Sequence, residues 1–121
     1  MEKNTTDIEY TFQQKIAMMR ILLDIIQADG IIDTRETFFF NQLKEKFGMS
    51  DSDHEVVKQK NSLLALVQLK EMQPEQKQAF AYLMNKMIIV DDDIDVNEVA
   101  IYNVVNEFCK METDFKGFNL E

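Results

Sequence analysis

Six carboxylates stand at matching places in two acidic turns. The first turn reads Asp29-Gly30-Ile31-Ile32-Asp33-Thr34-Arg35-Glu36. The second, 62 residues later, reads Asp91-Asp92-Asp93-Ile94-Asp95-Val96-Asn97-Glu98. Asp29 aligns with Asp91, Asp33 with Asp95 and Glu36 with Glu98, and Ile32 aligns with Ile94 between them. Carboxylate oxygens are hard ligands of the kind magnesium, calcium and manganese take. Brought together, Asp29, Asp33, Glu36, Asp91, Asp95 and Glu98 would form a composite site for a divalent cation. Such a cation would relieve the repulsion among Asp91, Asp92 and Asp93. A basic partner surface would answer the same charge.

Carboxylates also have a purely structural use. Asp33, Glu36, Asp95 and Glu98 are what a helix start selects, because their oxygens satisfy unpaired N–H groups and complement the helix dipole. Asp29 and Asp91 end the preceding helices, where negative charge is mildly unfavourable, so capping leaves them unexplained. Both uses stay open at this level.

Other chemistries fare worse. With Gly30 at the sixth position of a calcium loop of the EF-hand type, the first and third positions become Ile25 and Gln27. In the second turn they become Met87 and Ile89. Oxygen ligands are needed there, so neither turn is an EF-hand. His54 is the single histidine, which excludes a di-iron site built on paired Glu-x-x-His motifs and a zinc site of several His or Cys ligands. It sits among Asp51, Asp53 and Glu55, where exposure is expected. Cys109, the single cysteine, follows Phe108 on an apolar helix end and reads as a buried structural thiol. No glycine-rich phosphate loop is present. The expectation is therefore a non-enzymatic protein with no assigned cofactor, a divalent cation being the one candidate.

The turns need helices to hold them. The 62-residue offset also pairs Met18 with Phe80, Leu22 with Met84, Ile25 with Met87 and Ile26 with Ile88 before the turn. After it, Phe39 pairs with Ile101, Phe40 with Tyr102 and Leu43 with Val105. Apolar spacings of three and four predict a first helix over 7–27, with Ile8 and Phe12 opening its stripe. Asp33 is expected to cap a helix over 34–47, in a capping-box pattern with Glu36, that buries Phe38, Phe39, Leu43 and Phe47 and stops at Gly48. Phe38-Phe39-Phe40 span about 200° of a helix, so not all can face one core. Either two layers cover them or one marks a contact surface. Short helices follow from the cap cluster at 50–53 and from Asn61-Ser62. Pro74 fits the first turn of a fifth helix reaching about Val90. Asp95 caps a sixth that turns Ile101, Tyr102, Val104, Val105 and Phe108 inward. Arg20 and Asp24 are expected to pair on the wet side of the first helix. The tail from Met111 has no clear period and no predicted place.

The whole chain fits one all-α domain of about six helices over 1–121. Related units lie at about 10–48 and 72–110, a helical insert at about 51–71, and a tail at 111–121. With 121 residues, 45% of them apolar, the chain can bury a real core. Three glycines and one proline argue against a turn-rich sandwich. Acids outnumber bases 22 to 13, for a net charge of −9. That charge, with lysines scattered among acids, excludes nucleic acid and an anionic membrane surface as partners. No stretch approaches a membrane span or a signal peptide, and a lone cysteine suits a reducing cytoplasm.

The segment Ile26-x-Ala28-Asp29-Gly30-x-Ile32-Asp33-x-x-Glu36 resembles the hallmark of TerB-like domains, the tellurite-resistance protein B family. The likeness covers roughly residues 10–110 and includes the Phe47-Gly48-Met49-Ser50 break. In the second unit Asp91, Asp95 and Glu98 match, whereas Val90 and Asp92 replace the usual alanine and glycine. The resemblance implies a compact helical module of stress response in a bacterial cytoplasm. It implies acidic residues serving a metal or an interaction surface, and a protein partner that can be membrane-linked. The alternative is a helical interaction scaffold whose acids are only caps, with surface aromatics serving a partner or a homo-oligomer.

Overall fold

Five of the six helices begin where an N-cap side chain accepts from their first N–H groups, the one that opens at Pro74 being without such a bond, and these local starts set the element order. The computed structural model describes residues 8–28, 30, 33–90 and 93–117. Among them there are six helices and no strand: α1 (Phe12–Gln27), α2 (Thr34–Lys46), α3 (Asp51–Gln59), α4 (Ser62–Lys70), α5 (Pro74–Ile89) and α6 (Val96–Cys109). The all-helical expectation holds.

α1 starts later than its apolar stripe predicts. Thr11 Oγ1 accepts from the Gln14 amide at 3.1 Å, and Gln14 Oε1 accepts from the Thr11 amide at 2.8 Å. That capping box fixes the first turn and leaves Ile8 outside the helix. Phe12 is consequently exposed. The rest of α1 is apolar almost all round because it is the central helix, touching each of the other five. Ile16 through Met19, with Ile21, Leu22, Ile25 and Ile26, are buried.

The aromatic run on α2 sorts differently from the sequence expectation. Phe40 enters the core and Phe38 is 64% exposed. Phe39 and Phe47 are half-buried against the core's edge. Helical geometry forces this choice, since adjacent residues point about 100° apart. His54 of α3 is half-buried, not exposed, and meets the Phe40 ring edge-on at 5.8 Å. On α6, Tyr102 and Val105 are buried and Ile101 half-buried, whereas Val104 and Phe108 remain exposed. The Arg20–Asp24 pair is real but not on the wet side. Arg20 donates to the Val57 and Lys58 carbonyls ending α3, and Asp24 accepts from Ser62 Oγ at 2.7 Å as α4 begins.

The α1–α2 and α5–α6 pairs share contacts at the 62-residue offset. Gly48 closes α2 with φ 70° and Lys110 closes α6 with φ 55°. The Met49 amide then bonds the Lys44 carbonyl, as the Met111 amide bonds that of Asn106. Both are Schellman-type stops that tuck a methionine into the core. Phe115 meets Tyr102 edge-on, as His54 meets Phe40.

The tail has a definite place through Gly117. Gln78 Nε2 donates to the Met111 carbonyl, and Asn106 exchanges two bonds with the Thr113 backbone. Buried Asn85 receives the Lys116 amide and donates to the Gly117 carbonyl. Residues 111–117 thus lie along α5 through polar anchors that leave no periodic mark in the sequence. Among the described residues, no helix is long and apolar enough to cross a membrane.

Candidate functional site

Two of the six carboxylates act as helix caps. Asp33 Oδ1 accepts from the Arg35 and Glu36 amides at 2.8 and 3.2 Å. Asp95 Oδ1 accepts from the Asn97 and Glu98 amides at 2.8 and 3.1 Å. The geometry is the same at both helix starts, and each aspartate makes these cap bonds through Oδ1 alone. Glu36 and Glu98 lie inside, 1% and 2% exposed. They are the buried acids among the described residues and are not offered to a partner surface. Asp29 and Asp91 lie outside the described residues.

Among the described residues, no three His, Cys, Asp or Glu side chains are placed to hold one metal ion. Asp33, Glu36, Asp95 and Glu98 therefore do not form a composite site by themselves. Any such site would draw on Asp29 and Asp91.

Cys109 is fully buried, and its thiol faces the Leu66 carbonyl at 3.6 Å. Burial pushes its pKa up, against weaker lowering by Lys77 and Lys70. A protonated, enclosed thiol is a poor nucleophile. His54 has its pKa lowered by burial first, then by Lys44 and Lys58. A cavity of about 170 Å³ between α5, α6 and the tail touches Asn85, Tyr102 and Asp114, and is smaller than ordinary small-molecule sites of roughly 300–1,000 Å³.

The larger concavity runs between α2 and α5. It has a volume of about 700 Å³, with Phe38, Phe39, Leu43, Tyr82 and Leu83 in its lining and Glu45, Lys46 and Lys86 as its charged groups. Lys86 sits over the Tyr82 ring at 5.7 Å. In a chain of charge −9, two lysines against one glutamate beside exposed aromatics make a distinct surface. The run of three phenylalanines signals one wall of this groove in the sequence. Tyr82, Lys86 and Lys46 carry no such signal, because α2 and α5 meet only in the fold.

No protein-family model matches the chain, and no curated protein matches it in sequence. In structure the chain is similar to a solved protein of unknown function from Porphyromonas gingivalis, 22% identical, with a TM-score of 0.73 over 88% of this chain and 90% of that one. At that identity the likeness concerns the fold.

Proposed function

We propose that this chain is a non-enzymatic helical interaction module, and that the groove between α2 and α5 is its working surface. The observation that carries this reading is Phe38, 64% exposed at the side of a 700 Å³ apolar groove. Exposing a large aromatic beside an apolar concavity is unfavourable in water, and a bound partner would bury it. The cap bonds of Asp33 and Asp95 give two of the six repeated acids a structural use. A TerB-like stress module in a bacterial cytoplasm, as the acidic-turn motif implies, fits this reading, with a partner that is itself membrane-linked or free. Photo-cross-linking from position 38 tests it, and specific capture of one protein is the expected result.

A second reading gives the acidic turns a divalent cation or a basic partner. It is favoured by Asp33 and Asp95 both capping through Oδ1, which leaves Oδ2 out of the cap bonds. Titrating metal-free protein with calcium, magnesium, manganese and zinc, followed by two-dimensional NMR, tests it. Coupled micromolar responses at 33–36 and 95–98 that vanish in Asp29→Asn/Asp91→Asn would establish the cation.

A further inference from the structure

The groove between α2 and α5 has a counterpart between α6 and α1, and that counterpart is filled. The 62-residue offset places Asp24 opposite Lys86, Phe108 opposite Lys46, and Val105 opposite Leu43. Helix α4 lies in the counterpart, packed on both α1 and α6. Its Ser62 hydroxyl bonds Asp24, the Cys109 thiol meets its Leu66 carbonyl, and its Lys70 covers the Phe108 ring at 5.2 Å. The face it turns inward is Ser62, Ala65, Leu66 and Leu69, the i, i+3, i+4, i+7 stripe of an amphipathic helix. Ala65 and Leu69 are completely buried.

The segment that follows each pair explains the difference. After Gly48 the chain runs through α3, whose carbonyls bind Arg20, and on into α4. After Lys110 it runs along α5 beside Tyr82, which stands at the place of Arg20, and among the described residues the groove beyond is lined by α2, α5 and Val90.

Resting on the interaction-module reading, we infer that the α2/α5 groove binds one short amphipathic helix of a partner protein. That helix would present a small-and-aliphatic i, i+3, i+4, i+7 stripe like that of α4. Lys86 replaces Asp24 in the groove, so the partner would carry a carboxylate where α4 carries Ser62. The lysine ammonium beside Tyr82 is placed to receive it.

The test uses a lactam-bridged peptide copying residues 61–71, with Ser62→Glu and with the outward Leu63, Leu64 and Val67 replaced by Gln. It is added to the whole protein while backbone amides are followed by NMR. The expected result is saturable shifts at Phe39, Leu43 and Lys86 with half-saturation below about 1 mM. Lys86→Glu should weaken this binding, and a peptide with Lys in place of that Glu should bind the variant better than the parent. Phe38→Asp, an exposed change, should abolish the shifts while leaving the fold intact. No saturable shift, or shifts confined to the α4 surroundings, would overturn the helix proposal. Concentration-dependent broadening at the same residues without peptide would place a second copy there and overturn it too. A partner cross-linked from position 38 alongside peptide failure would leave the interaction module standing and remove only the helix.

Discussion

Gln14 and Gln76 face each other as equals. They are 62 residues apart, the offset of the two acidic turns, and Gln76 Nε2 donates to Gln14 Oε1 at 3.1 Å. The reverse bond, from Gln14 Nε2 to Gln76 Oε1, is 3.5 Å. Each glutamine also accepts from the backbone amide three residues before it, so each caps its own helix while holding the other. Gln14→Ala and Gln76→Ala should each destabilise by about 1 kcal/mol, through a lost cap and a lost hydrogen bond. The double variant should fall short of their sum by about 0.5 kcal/mol, because both singles break the same pair. Urea unfolding of the four proteins measures this, and strict additivity would show that the pair contributes nothing.

The two helix stops differ in residue type but share a left-handed backbone. Gly48 adopts φ 70° without strain, and no atom lies within 4 Å of where its Cβ would stand. Lys110 adopts φ 55° with a side chain. Lys110→Gly should therefore stabilise the protein by roughly 0.5–1 kcal/mol, and Gly48→Ala should destabilise it by about 1 kcal/mol. Thermal unfolding would register opposite changes in Tm. A loss of stability in Lys110→Gly would refute the strain argument.

Asp33 and Asp95 should behave as caps under mutation. Asp33→Ala and Asp95→Ala are each expected to cost about 1 kcal/mol, and Asn at either place only a few tenths. Denaturant midpoints in metal-free buffer check this. A large rise in stability on neutralising either aspartate would show charge repulsion, not capping, to be the dominant effect.

His54 should make stability fall on the acid side. Burial lowers its pKa below the ordinary 6.5, so the unfolded chain binds the proton more readily. The contribution is intact above about pH 6.5 and declines as pH falls through the window beneath it. Subtracting the pH profile of His54→Gln from that of the parent isolates the effect from carboxylate titration. A difference that stays flat between about pH 8 and pH 5 would contradict the assignment.

How much of this was legible in the sequence depends on how local the cause is. The caps Asp33 and Asp95, Pro74 opening α5, and Gly48 closing α2 act within one turn, and the sequence shows them directly. Which of Phe38, Phe39 and Phe40 enters the core depends on where α1 and α3 lie, so periodicity misplaces Phe38. Val104 and Phe108 fit an inward stripe, yet α4 covers only one side of α6. Arg20 and Asp24 look solvated until α3 and α4 are laid over them. The tail binds through Asn85, Asn106 and Gln78, polar residues that hydrophobic patterning cannot see. Legible too are the acidic turns themselves.

We propose the α2/α5 groove as the surface this protein works with. A photo-reactive benzoylphenylalanine placed at position 38, in cells that make the protein, tests it most directly. Position 96 serves as control, since Val96 is 77% exposed at the start of α6 and outside the groove. One discrete adduct is expected from position 38, absent from position 96 and weakened by Lys86→Glu. Equal labelling from both positions, or none from position 38 in a folded protein, would contradict it.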